Sequence, residues 1–147
     1  MTVQDNSAVV RRFTAGLRAG DVAGCLELLD DEIVFSEAMS LPFGGDYLGK
    51  DAFVQLLRKV GRDFRVELDT PEIGDAGSFV AVRMHGTMTS RVTGRSMPMR
   101  VVDLYQLRGG KIVRVDVFYQ DSHAVSELCR GDTTAASLHR DHQGATT

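Results

Sequence analysis

Two carboxyl groups in this sequence have neighbours that ordinary surface acids lack. Glu37 closes the apolar run Ile33-Val34-Phe35-Ser36 just before a loop holding Pro42, Gly44 and Gly45, which places it at the rim or wall of whatever the following strands enclose. Asp103 sits mid-strand in Val101-Val102-Asp103-Leu104-Tyr105, and strict alternation puts it on the same face as Val101, Tyr105 and Leu107. An ionised carboxylate among apolar side chains is so costly that the group keeps its proton and becomes a hydrogen-bond donor at neutral pH. A second, less buried acid facing the same space stays ionised. Such a pair can remove a proton from the carbon beside a carbonyl and stabilise the enolate oxygen, with no cofactor required. The pattern alone also fits an Asp103 turned to solvent or paired with Arg83 or Arg100, and a Glu37 that merely ends a strand.

Other chemistry is poorly served. Cys25 and Cys129 lack the paired spacing of a structural zinc site and do not make a disulfide framework, so both read as reduced, Cys25 as a small apolar residue among Val22, Leu26 and Leu29. No metal site is expected. His85 falls on the face opposite Met84, which suits solvent or a subunit interface, and Asp116 alternates with Arg114 and Phe118 on an outward face. His123 follows the last strand near the expected pocket mouth. Arg130-Gly131-Asp132 is a tripeptide too common to signify adhesion, and His139 and His142 lack a rigid scaffold for a metal. With 17 Lys+Arg against 20 Asp+Glu, the chain has no basic footprint for nucleic acid. Its apolar runs are too short to span a bilayer, and MTVQDNSAVV lacks the pattern of a secretory signal, so a cytoplasmic protein is expected.

The elements that must position the two acids follow from hydrophobic period. At 147 residues and 43% apolar composition, one folded unit with a proper core is expected. Val9, Val10, Phe13 and Leu17 share a helical face, Gly20-Asp21 reads as a stop and a fresh N-cap, and a second helix follows at about 21–29. A short strand covers 33–37, a loop covers Met39 to Tyr47, and Phe53, Leu56, Leu57 and Val60 mark a third helix ending at Gly61. Segments near 62–69, 79–90, 96–108 and 111–119 read as antiparallel strands, the last two joined by a hairpin at Arg108-Gly109-Gly110-Lys111. Helices first and strands after make an α+β domain. The apolar period fades from about Ala124, so the domain is bounded at 1–128 and 129–147 is read as a flexible polar tail.

This order of elements, with Val9-Val10-Arg11-Arg12-Phe13, Arg18-Ala19-Gly20-Asp21, Leu28-Leu29-Asp30-Asp31, Gly49 and Gly110-Lys111-Ile112-Val113 in sequence, resembles the nuclear-transport-factor-2-like superfamily over about residues 8–121. The resemblance includes ketosteroid isomerase and the SnoaL-like polyketide cyclases. It implies a cone-shaped, curved, mostly antiparallel sheet with three N-terminal helices packed on it, a cystatin-like α+β barrel. It also implies that Glu37 stands where the isomerase keeps its general base and Asp103 where it keeps its neutral donor, while Phe13 replaces the tyrosine that completes the oxyanion hole. In the limonene-epoxide-hydrolase-like branch an Arg-x-Asp and a further acid do the work. Here Arg83-Met84-His85 and Val117 stand in their places, and many SnoaL-like cyclases also carry an acid near Val117.

The surroundings of the acids favour a greasy substrate. Alternation brings Val101 and Tyr105 to the Asp103 face, and the resemblance adds Val80, Val82, Met84 and Met88 from one strand and Val113, Val115, Val117 and Tyr119 from another. Met39, Met97 and Met99 offer adaptable wall, Phe13 shapes the pocket, and Tyr47 caps the opening or packs nearby. The expected catalytic pair is Glu37 and Asp103, with Phe13, Tyr47, Val82, Met84, Val101, Tyr105, Val115, Val117 and Tyr119 binding substrate. The expected activity is cofactor-independent cyclisation or double-bond isomerisation of a polyketide-like carbonyl or polyene compound, as in antibiotic biosynthesis. It would proceed by acid–base catalysis together with pre-folding of the substrate in the apolar pocket; a cyclase working largely by folding needs neither acid, and a non-catalytic hydrophobic-ligand-binding module is the alternative. A homodimer is expected through an outer sheet face that includes Thr87, Thr89 and Val102.

Overall fold

The computed structural model describes residues 3–130. Val10 and Phe13 are fully buried on one face of α1 (Val3–Ala19), the helix that their spacing predicts. Asp21 caps the short α2 (Val22–Glu27) by accepting a hydrogen bond from the Gly24 N–H at 3.0 Å. The chain then enters β1 (Leu29–Glu37), β2 (Gly45–Leu48), α3 (Gly49–Asp63), β3 (Phe64–Leu68), β4 (Glu72–Asp75), β5 (Val80–Ser90), β6 (Ser96–Arg108) and β7 (Lys111–Tyr119). A fourth helix, α4, spans 122–130.

The strands form one curved, unclosed sheet in the order β2-β1-β7-β6-β5-β3, with β4 also paired to β5. Every pairing is antiparallel except that of β1 with β7, which is parallel. The long β5–β6–β7 segment sets the register on which the site depends: Val82, Asp103 and Val117 lie side by side, as do Met84, Val101 and Tyr119. Gly109 and Gly110 both adopt positive φ, 59° and 77°, which suits the tight hairpin between β6 and β7. Gly86 is needed for a different reason, since a Cβ there would strike the Glu67 carbonyl of the adjoining β3.

The α+β architecture with helices on the sheet is the expected one, with several corrections. Four helices are described instead of three. The fourth buries Val125, Leu128 and Cys129, and the Asp121 carboxylate caps it by accepting from the Ala124 N–H at 2.9 Å. It runs to residue 130 and so crosses the boundary expected at 128/129. β1 begins at Leu29, where the second helix was expected to end. Two segments expected as loops contribute the short strands β2 and β4. The Arg130-Gly131-Asp132 tripeptide beyond its first residue, His139, His142 and the rest of the tail lie outside the described residues.

Candidate active site

Alternation along two strands brings the acids inward. In β1, Ile33, Phe35 and Glu37 are buried while Val34 and Ser36 are only partly so. In β6 the buried series is Met99, Val101, Asp103 and Tyr105. Glu37 is 8% exposed and Asp103 7%, although their strands are separated in the sheet by β7. Both side chains line one partly open cavity of about 160 Å³ between α1 and the sheet.

Burial controls the chemistry of both groups. Desolvation pushes the Glu37 carboxyl up to about 7, and a hydrogen bond from Tyr119 works in the opposite direction. The Tyr119 hydroxyl lies 2.8 Å and 3.0 Å from the two Glu37 carboxylate oxygens. Asp103 is pushed higher, to about 8, first by desolvation and then by the charge of Glu37, with the Tyr105 hydroxyl opposing. No arginine neutralises it. Arg83 is held by Glu72 at 2.7 Å, and Arg114 by Asp116. Asp103 Oδ1 is buried without any hydrogen-bond partner, a costly arrangement for a group in a cavity wall unless a ligand completes it. Near neutral pH the site therefore offers one carboxyl that retains its proton and another that readily loses it, set in a largely apolar chamber. Proton transfer is what such a pair can do. Among the described residues no three His, Cys, Asp or Glu side chains converge as a metal-ligand set.

Of the residues expected to contact substrate, Met84, Val101, Tyr105, Val117 and Tyr119 line the cavity with the two acids. Phe13, Tyr47, Val82 and Val115 do not. Phe13 lies behind Tyr105, ring edge to face with centroids 5.8 Å apart, and also packs on Phe53. Val82 and Val115 are wholly buried in the core. Tyr47 donates to the Phe43 carbonyl at 2.9 Å, and its ring faces the Lys59 ammonium 5.7 Å away. His85 is exposed, 3.9 Å from Asp69, and His123 lies on the surface of α4. The sequence reading missed Thr14, Leu17 and Arg18 of α1, Phe35 of β1, and Leu68, Asp69 and Pro71 at and after the end of β3, which complete the wall. Leu17 carried a signal, since it continues the Val10–Phe13 face. Thr14 carried none, for its hydroxyl is spent on the Arg11 carbonyl of its own helix.

The comparisons with known proteins agree with this architecture. An NTF2-like protein from Burkholderia xenovorans LB400 is 24% identical and superposes with a TM-score of 0.76, over 88% of this chain and 97% of that one. A second NTF2-like protein, from Burkholderia thailandensis E264, is 26% identical with a TM-score of 0.74, over 83% of this chain and 95% of its own. TerC, co-crystallised with polyporic acid, is 22% identical with a TM-score of 0.72, over 86% of this chain and 98% of its own. Structures designated candidate polyketide cyclases share the fold too, one from Pseudomonas putida KT2440 at 22% identity and a TM-score of 0.68, over 82% of this chain and 92% of that one. No curated protein matches the sequence significantly. The SnoaL-like domain family matches residues 10–115, a stretch that holds α2, α3, both acids and most of the sheet. The chain therefore belongs to the SnoaL-like family, within the nuclear-transport-factor-2-like superfamily.

Proposed function

We propose that this domain is a cofactor-independent acid–base enzyme that cyclises or isomerises an apolar, polyketide-like carbonyl compound. The observation that carries this reading is the orphaned Asp103 Oδ1, buried in the same chamber as Glu37. Glu37 as carboxylate takes the proton from the carbon next to the carbonyl. As negative charge develops on the carbonyl oxygen, protonated Asp103 donates a hydrogen bond to it. Return of the proton at another carbon completes a double-bond shift. Attack of the enolate carbon on a second carbonyl of the same chain, with protonation of the new alkoxide, closes a ring. The apolar wall excludes water and holds the reacting carbons together. The candidate cyclases of the same fold favour a polyketide-like substrate over other carbonyl compounds.

The test is deuterium exchange at the α-carbon of 2-tetralone in D₂O, followed by NMR. Wild-type protein is expected to accelerate exchange, and Glu37→Gln and Asp103→Asn are each expected to reduce that acceleration about a hundredfold or more. Equal rates in all three proteins would overturn the acid–base reading. Tight binding of the ketone with no exchange would assign the domain instead to non-catalytic ligand binding.

A further inference from the structure

The chamber around Asp103 holds little more than a single ring. It measures about 160 Å³, and an apolar cavity of roughly 150 Å³ accommodates one benzene ring. A larger compartment of about 630 Å³ opens beside it between α3 and the sheet, walled by Phe43, Leu56, Leu57, Val66 and Met88. The two compartments share Leu17, Arg18, Phe35, Glu37, Leu68, Met99 and Tyr119, so the hydrogen-bonded Glu37–Tyr119 pair stands at their junction. Their polarity differs. Arg18 is exposed at the mouth of both; the inner compartment contains the buried, unpartnered Asp103 oxygen and has Asp69 exposed at its rim, whereas the outer one adds the exposed Glu67.

We infer that the substrate has two parts: a ring-sized carbonyl head held in the inner chamber by Asp103, and an apolar aryl or acyl arm laid in the outer groove between α3 and β3. The inference rests on the proton-transfer reading and adds the size and polarity of the substrate to it. It also fixes the site of reaction. Glu37 lies where head meets arm, so the C–H bond that breaks belongs to the carbon joining them. Its proton goes to the Glu37 carboxylate and its electron pair into the enolate held at Asp103.

Phenol, a stable analogue of a ring-sized enol, and its 2-phenyl and 4-phenyl derivatives test the two compartments by titration calorimetry. At least one phenylphenol is expected to bind wild-type protein ten times or more tightly than phenol, because the second ring buries apolar surface in the outer groove. Leu57→Trp and Val66→Trp fill that groove from opposite walls, and each is expected to erase most of the gain, with circular dichroism verifying that the variant is folded. The wild-type comparison stands even where a variant fails to fold. Equal affinity for phenol and both phenylphenols overturns the two-part substrate while leaving the acid–base site intact, provided that Asp103→Leu, which removes the donor, weakens phenol. Phenol affinity indifferent to Asp103→Leu overturns the site reading and this inference together.

Discussion

The Tyr119 hydroxyl bridges both carboxylate oxygens of Glu37, at 2.8 Å and 3.0 Å, and in doing so holds the carboxylate in place while easing its ionisation. Tyr119→Phe keeps the ring and removes the donor. A hydrogen bond to a charged group contributes about 1.5–3 kcal/mol, so the variant is expected to ionise Glu37 about one to two pH units later than wild type. The pH–rate profile of ketone exchange checks this. A role in packing alone would lower the rate without moving its acidic limb.

The wild-type profile is itself a prediction. Catalysis needs Glu37 ionised and Asp103 protonated, so the rate should rise as pH passes about 7 and fall as it passes about 8. Asp103→Asn retains a donor that cannot ionise. Its residual activity should therefore lose the alkaline limb and keep the acidic one.

Stability should carry the same signature with a definite sign. Both carboxyl groups hold their protons more tightly in the folded state than in the unfolded chain, so the unfolded state binds fewer protons across the intervening range. Their contribution is fully present below the ordinary carboxylate range and is lost as pH rises through about 7 for Glu37 and about 8 for Asp103. Urea unfolding at a series of pH values should show stability declining from about pH 5 to about pH 8, with a shallower decline in Asp103→Asn. A wild-type curve that rises over this interval would contradict the burial of both groups.

Helix α4 should matter to the whole domain. Leu128 is 4% exposed and Val125 1%, so Leu128→Ala is expected to cost about 2–4 kcal/mol in urea unfolding. Asp121→Ala removes the cap on the Ala124 N–H and should cost about 1 kcal/mol. Neither change touches the wall around Asp103, so exchange activity per folded molecule should persist.

The sequence reading reached furthest where a single physical rule governs the outcome. Strand alternation set Asp103 beside Val101 and Tyr105, because a long central strand flanked on both sides leaves its side chains only two directions. The same rule could not tell cavity wall from solid core. Val82 and Val115 share the inward face with Asp103, Val82 directly beside it and Val115 beside Tyr105, yet they are packed over by side chains instead of facing the opening. Depth depends on what the helices cover, and that is a tertiary property. Phe13 illustrates the point, because its helical face was legible and its place behind the Tyr105 ring was not. The short elements were missed for local reasons. β4 reads Glu-Ile-Gly-Asp, a poor strand composition that pairing with Val80–Arg83 of β5 overrides, and α4 offers only Val125, Leu128 and Cys129 as an apolar stripe.

The lone parallel pairing, β1 against β7, joins the first strand to the last, and the Glu37–Tyr119 contact spans 82 positions. A loop of that length must close before the contact exists, which is the kind of non-local step that slows folding and comes late in it. Nascent chains on the ribosome would consequently be unable to assemble the proton-transfer centre until the final strand had emerged, and any collapsed intermediate lacking that strand would be inert.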